Sequence, residues 1–189
     1  MKQKFIIALG ASAGGLSALY EFFDNTLPDG VTYIITTHLY PHQKSMLTEL
    51  IRRHSVMEVS EVTDNMNIEE NHVYVMPENK VMSIKNGTLI LDARDLSIKI
   101  NMAIDIFFNS LAAEPGFIKV AVILSGMGKD GTKGTAAISE SGGLIIVQDL
   151  ENSTEDSMPS SVIDAGHADM ILHPKDMPQA IIDFVSNFD

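Results

Sequence analysis

The five residues from position 10 to position 14 combine a serine with the glycines that a tight turn needs. They read Gly-Ala-Ser-Ala-Gly around Ser12, with an apolar run before them and a helix-type pattern after them. A G-x-S-x-G turn in that setting presents a serine hydroxyl above a sheet, and the next N–H, that of Ala13, can face a developing oxyanion. The pattern favours a nucleophile. An anion-binding loop and a plain turn stay open as alternatives, although Ser12 replaces the second glycine of G-x-G-x-x-G.

Two further polar residues lie beside predicted strand ends. His38 follows the apolar run Val31 to Thr37, and a histidine there could take the proton of Ser12 as general base. Asp130 follows a third apolar run, in a glycine-rich turn, and could orient His38. A helix N-cap is the alternative role for Asp130, and a surface or core residue is the alternative for His38. His38 and His42 also have the i, i+4 spacing of a metal pair, but Pro41 argues against a helix between them.

The elements that would bring these residues together alternate between strand and helix. Such alternation predicts an α/β fold with a doubly wound, mostly parallel sheet and helices on both faces. The short strand-like pieces of about residues 72–91, with Asn86-Gly87 as a hairpin turn, predict an antiparallel hairpin insertion. We expect residues 1–189 to form one domain. In a parallel sheet the strand ends share one edge, so Ser12, His38 and Asp130 should converge.

Composition excludes several classes of function. The formal net charge of −12 disfavours nucleic acid and anionic membrane surfaces as partners. The chain has no cysteine, so disulfides and thiolate zinc sites are excluded, and a cytosolic compartment is permitted. We expect a cytoplasmic protein, and with Pro41 between His38 and His42 we expect no metal ion. No apolar run is long enough for a membrane span, so we expect no membrane insertion.

Several separate blocks, in order, resemble the catalytic domain of the chemotaxis protein-glutamate methylesterase family. They cover nearly the whole chain and comprise Gly10 to Gly15, His38 to Pro41, Asn71 to Val75, Ile104-Asp105 with Phe107-Phe108, Leu124 to Gly131, and Gln148-Asp149 followed by Met158-Pro159. The first of them and the stretch from Lys44 to His54 look most like the version fused to a receptor methyltransferase.

The resemblance implies a triad of Ser12, His38 and Asp130, with an oxyanion site supported by Ala13 and by the backbone of Met127. It implies hydrolysis of γ-glutamyl methyl esters on the cytoplasmic helices of chemoreceptors, with deamidation of glutamines as a further activity and no cofactor. The competing hypotheses are a serine esterase or amidase with another acyl substrate, and a non-catalytic signalling module with this fold.

Three positions depart from the family pattern. Thr37 stands where the family usually has glutamine, Ser157 where it has glycine, and Ala103 where proline is frequent. These changes affect the expected substrate fit more than the reaction type. The sequence also contains no receiver domain. Regulation is therefore expected from a separate protein, such as a receiver or a receptor methyltransferase, or from a fusion partner missing from this chain, or it is expected to be absent.

Overall fold

The computed structural model describes residues 3–38, 46–95 and 97–188. Its larger sheet has seven parallel strands, in the order β10-β9-β8-β1-β2-β5-β3. Their bounds are Phe5–Ala11 (β1), Val31–Thr37 (β2), Glu58–Glu61 (β3), His72–Val75 (β5), Ile118–Ile123 (β8), Leu144–Gln148 (β9) and Met170–Leu172 (β10). The predicted parallel sheet is confirmed.

Helices cover both faces of this sheet. They are Gly15–Phe23 (α1), Leu47–His54 (α2), Ala103–Ala113 (α3), Thr132–Glu140 (α4), Ser157–Asp164 (α5) and Met177–Ser186 (α6). One core contains buried residues of α1, α2 and α6, and the other contains those of α3, α4 and α5. Because both faces are covered, all seven residues of β1 are buried, as is typical of a central parallel strand. The predicted doubly wound arrangement is therefore confirmed.

A second, three-stranded antiparallel sheet lies beside α3. It contains Met66–Asn67 (β4), Lys80–Lys85 (β6) and Thr88–Ala93 (β7), in the order β4-β7-β6. Asn86 and Gly87 both have positive φ, 52° and 71°, as the turn of a tight hairpin requires. The amide of Ile84 donates to Ser110 Oγ of α3 over 3.0 Å. The predicted hairpin is thus present and rests on α3.

The bounds predicted for the insertion need one correction. His72 to Val75 is not antiparallel, because β5 pairs in parallel with β2 on one side and with β3 on the other. The antiparallel hairpin therefore begins later than predicted, at Lys80. The antiparallel sheet also includes β4, which precedes β5 in the sequence. All four residues of β5 are buried because it runs between two strands of the main sheet. Its shortness and its closeness in sequence to the hairpin led to the wrong assignment.

The strand order reverses at the centre of the main sheet. From β1 the chain first adds β2 on one side, and it later returns to build β8, β9 and β10 on the other. At such a switch point the connections leave the strand ends in opposite directions, which opens a crevice outside the carboxyl ends. Ser12 directly follows β1 and therefore lies at this crevice. Within the described residues, no helix combines the length and apolar character needed to cross a membrane.

Candidate active site

Strand register sets Ser12 and His38 side by side. Ala11 of β1 pairs with Thr37 of β2. The residues that follow them, Ser12 and His38, therefore lie beside each other at the ends of neighbouring strands, which are about 4.8 Å apart. The amide of His38 donates to the carbonyl of Ala11 over 3.2 Å. The amide of Ser12 donates to the carbonyl of Ser125 over 3.0 Å. Backbone hydrogen bonds at Ala11 and Ser12 therefore fix the end of β1 against both neighbouring strand ends.

The turn at Ser12 needs glycine at two places. Gly14 has φ of +73°, and a Cβ there would lie 2.4 Å from Cβ of Thr154. Gly126 passes so close to the serine that an added Cβ would lie 2.8 Å from Cβ of Ser12 and 2.5 Å from Sδ of Met158. These contacts explain why two glycine-rich segments, far apart in sequence, meet here.

Asp130 is fixed by three backbone amides. Its Oδ1 accepts from the N–H of Asp105 over 2.8 Å and of Gly131 over 2.9 Å, and its Oδ2 accepts from Ile104 over 2.9 Å. Two of these donors belong to the first turn of α3, where the helix dipole favours a carboxylate. Asp130 thus serves the N-terminus of α3 and not of α4, whose N-cap is Gly131.

The ring of His38 meets this carboxylate. Nε2 lies 2.5 Å from Oδ2 of Asp130, and both side chains are largely buried. The ring N–H does not point along this contact well enough to form an aligned hydrogen bond. Such bonds are often poorly aligned before a substrate is bound. Because Nε2 faces the carboxylate, Nδ1 is the ring nitrogen left for another partner.

The structure joins His38 to Asp130 but does not join Ser12 to His38. Among the described residues, the hydroxyl of Ser12 makes no hydrogen bond to the imidazole or to any other side chain. The two residues are adjacent through the strand register alone. Their backbones lie at neighbouring strand ends, about one strand spacing apart.

Among the backbone N–H groups near Ser12, those of Ala13, Gly14 and Met127 have no acceptor within the described part of the chain. The amides on either side of Met127 are used, because Gly126 donates to the carbonyl of Glu155 over 2.9 Å and Gly128 donates to Ser157 Oγ over 3.1 Å. Ala13 and Met127 are the two positions predicted to support an oxyanion. The side chain of Met127 is 61% exposed, so a role there would use its backbone.

The three departures from the family pattern have different local effects. Ser157 supplies the hydroxyl that accepts from Gly128. Ala103, which opens α3, donates its amide to Asn101 Oδ1 over 3.1 Å, a bond that proline could not make. Thr37 is buried, and its hydroxyl has no partner among the described residues. Its effect on His38 is not explained by any contact.

Sequence reasoning assigned no role to Ser125, yet it connects the two halves of the site. Its hydroxyl, fully buried, contacts the carbonyl of Ala13 at 2.9 Å and accepts from the amide of Glu155 over 2.9 Å. Its own amide donates to Gln148 Oε1 over 2.8 Å. The available signal was position alone, because Ser125 follows β8 and Gln148 ends β9, both at the edge that carries Ser12.

Asp105 was also missed as a functional candidate. It is 3% exposed, its Oδ1 accepts from the amide of Gly134 over 2.7 Å, and its Oδ2 has no partner in the described ranges. Burial raises the pKa of Asp105, and the nearby charge of Asp130 acts in the same direction against the bond from Gly134. A second buried carboxyl with a raised pKa therefore lies near Asp130.

Taken together, the site supplies a hydroxyl, an imidazole, a carboxylate and free amide donors that include those of Ala13 and Met127. This is the set of groups that acyl transfer through a covalent serine intermediate uses. In residues 3–38, 46–95 and 97–188, no group of three or more histidine, aspartate and glutamate side chains is arranged to hold a metal ion. His42, considered above as a metal partner of His38, lies outside the described residues.

Comparison with known proteins gives a matching family model and several similar curated proteins. The family model described as CheB methylesterase matches residues 7–181. A protein of Xanthomonas oryzae pv. oryzae, named protein-glutamate methylesterase/protein-glutamine glutaminase 2, is 32% identical over 171 residues, covering 88% of this chain and 48% of that protein. A Thermotoga maritima protein, named protein-glutamate methylesterase/protein-glutamine glutaminase, is 31% identical over 186 residues, covering 95% of this chain and 54% of that protein. The chain spans about half the length of these curated relatives.

A solved structure agrees with the sequence matches. The crystal structure of the Thermotoga maritima CheB methylesterase catalytic domain matches with a TM-score of 0.85 and 30% identity, covering 97% of this chain and 100% of that domain. The match therefore includes the sheet, both helical layers and the edge that carries Ser12. From this agreement of sequence and fold, the chain belongs to the CheB methylesterase family.

Proposed function

We propose that this chain is a serine hydrolase that removes methyl groups from γ-glutamyl methyl esters of proteins. In this proposal Ser12 is the nucleophile, His38 the general base and Asp130 the residue that orients His38. The observation that carries it is the 2.5 Å contact between His38 Nε2 and an Asp130 carboxylate held by three amides, directly beside the strand end of Ser12. The names of the relatives support the ester as substrate.

The reaction follows from the positions of these groups. The hydroxyl of Ser12 attacks the ester carbonyl while His38 takes its proton, and the N–H groups of Ala13 and Met127 stabilise the resulting oxyanion. His38 then gives the proton to the departing methoxide, which leaves as methanol. Water, deprotonated by His38, attacks the acyl-serine, and the glutamate carboxylate is released as Ser12 regains its proton.

Hydrolysis of glutamine amides is a second activity for the same site. The same attack on an amide would release ammonia, with His38 protonating the leaving nitrogen. Both compared relatives carry the name protein-glutamine glutaminase beside protein-glutamate methylesterase. We therefore include deamidation in the proposal, and another acyl substrate is the alternative.

The substrates that we infer are methylated cytoplasmic helices of chemoreceptors. We also infer that the chain forms one catalytic domain and acts in the cytoplasm. A separate receiver protein or receptor methyltransferase is the inferred regulatory partner. These inferences rest on the family and on no contact within the chain.

The test is methanol release from a peptide that carries one glutamate γ-methyl ester. Removal of the Ser12 hydroxyl in Ser12→Ala should lower the rate by several orders of magnitude, on the order of 10³-fold or more. Ser186→Ala, near the end of α6 and away from the site, is the matched control and should keep the wild-type rate. Equal methanol release by Ser12→Ala would overturn the mechanism.

A second measurement separates the alternatives. A serine-directed fluorophosphonate should label wild type at Ser12 and should not label Ser12→Ala. Labelling without methanol release would favour another acyl substrate. Failure to label the folded wild-type protein would favour a non-catalytic module.

A further inference from the structure

A cavity of about 350 Å³ adjoins the His38–Asp130 pair, and Ser12 is not among the described residues that line it. Part of its wall comes from the segment before α3, through Ile100 and Met102, and part from the turn before α4, through Met127 and Lys129. Lys133, in the first turn of α4, completes its rim. The cavity shares His38 and Asp130 with the candidate active site, so a group bound there would lie next to the reacting ester.

The accessible charge around this cavity is positive, in contrast to the molecule as a whole. The chain has 13 basic and 25 acidic residues, yet the exposed charged residues of the cavity are Lys129 and Lys133. Its two carboxyl groups are withdrawn from solvent, Asp105 at 3% and Asp130 at 5% exposure, and Asp130 already contacts His38. An incoming group therefore meets ammonium groups and not carboxylates.

The position of Lys133 is not explained by the stability of its helix. A cation in the first turn opposes the helix dipole, and α4 has no acidic residue in that turn to offset it. The carboxyl of Asp105 accepts from the amide of Gly134 in this turn, and its charge interacts with that of Lys133. That carboxyl is buried, so the exposed charges at the cavity are the two ammonium groups. This combination attracts an anion.

Apolar surface adjoins the two lysines. The side chain of Ile100 is 72% exposed and that of Met127 is 61% exposed, and both line the cavity. Exposed apolar side chains rimmed by charge are typical of surfaces that bind another protein. The pairing of aliphatic wall with ammonium groups matches a glutamate side chain, whose methylenes are apolar and whose end is an anion.

We propose that this cavity is a subsite for an acidic residue of the protein substrate, next to the esterified glutamate. The carboxylate of that residue is bound by Lys129 and Lys133, and its methylenes pack on Ile100 and Met127. The proposal rests on the function proposed above and adds a sequence preference to it.

The test compares three peptides that carry the same glutamate γ-methyl ester. One has glutamine on both sides of the ester, one has a single glutamate before it, and one has a single glutamate after it. At low salt, wild type should hydrolyse at least one acidic peptide with kcat/KM about threefold to tenfold above that of the neutral peptide. The preference should shrink as salt is added, because exposed charges are screened.

The decisive variant is Lys129→Gln with Lys133→Gln, which should reduce the ratio of acidic to neutral kcat/KM to about one. The matched control is Lys85→Gln with Lys175→Gln, which removes the same charge far from the cavity and should keep the wild-type ratio. Equal hydrolysis of all three peptides by wild type, or a preference that survives in the Lys129 and Lys133 variant, would overturn the subsite alone. Absence of methanol from every peptide with wild type would overturn the proposed function as well.

Discussion

Asp130 has contacts in two directions, and this determines what a substitution there does. On one side its oxygens accept three amide hydrogens, and on the other they meet the ring of His38. The helix N-cap considered from the sequence is not made to α4, which follows Asp130; the carboxylate instead bonds the first turn of α3 while it meets His38. The same carboxylate caps α3 and faces His38.

Asp130→Asn should therefore affect catalysis more than the shape of the chain. The amide of asparagine would place an N–H₂ group against either a backbone N–H or His38, and it would remove the charge that stabilises a protonated imidazole. We expect kcat for ester hydrolysis to fall by about 10³-fold or more. Steady-state methanol release measures it, with Asp164→Asn, exposed on α5, as control. A kcat within tenfold of wild type would contradict the role of Asp130.

At the scale of elements, three loops meet at Ser125. Its hydroxyl contacts Ala13, which lies 112 residues earlier, and Glu155, which lies 30 residues later. Its amide is held by Gln148 at the end of β9, and the side-chain amide of Gln148 is in turn bonded to Asn152. Ser125 therefore helps to determine how the turn after β1 lies against the turn after β8. These turns carry the free N–H groups of Ala13 and Met127.

Ser125→Ala should loosen this junction. The amide of Glu155 and the carbonyl of Ala13 would lose a partner, at a cost of about 1–3 kcal/mol in the free energy of unfolding. Because the N–H groups of Ala13 and Met127 would then be less well placed, kcat should fall by about tenfold or more while KM changes less. Urea unfolding and methanol-release kinetics give the two quantities. Loss of stability with an unchanged kcat would show that Ser125 supports the fold alone.

Across the whole molecule, the helical layer of α3, α4 and α5 contains one buried carboxyl that is not fully bonded. Asp105, on α3, bonds the amide of Gly134 on α4 through Oδ1, while Oδ2 lacks a partner in the described structure. Burial raises the pKa of Asp105 in the folded chain, so the folded state binds this proton more tightly than the unfolded state. The contribution of Asp105 to stability is therefore present at low pH. It is lost as pH rises through the raised pKa.

Asp105→Asn should remove that loss. The amide oxygen can still accept from Gly134, and the side chain stays neutral at every pH. The free energy of unfolding of the variant should therefore rise relative to wild type as pH increases from about 4 to about 8. Urea unfolding at each pH measures the difference, and Asp183→Asn, exposed on α6, controls for the removed charge. A difference that shrinks with increasing pH would contradict the sign of the shift.

The placement of Ser12 and His38 could be predicted from sequence because it depends on strand ends alone. Apolar runs identify buried parallel strands, and their carboxyl ends must share one edge. The contacts of Ser125 and Asp105 could not be predicted in the same way, because they join positions brought together only by packing, such as Asp105 and Gly134. The four residues of β5 show the same limit, since a short buried run does not reveal whether its neighbours are parallel.

The attachment of Asp130 to α3 extends the reach of the active site into the antiparallel sheet. Two of the three amides that hold the carboxylate belong to Ile104 and Asp105, and Ser110, less than two turns further along the same helix, is bonded to the hairpin at Ile84. A rigid helix transmits axial displacement, and a misplacement of about 1 Å in a catalytic group can cost about 10²-fold in rate. A partner that bound the hairpin and shifted α3 would therefore change the position of Asp130, and with it the reaction rate, without contacting the substrate.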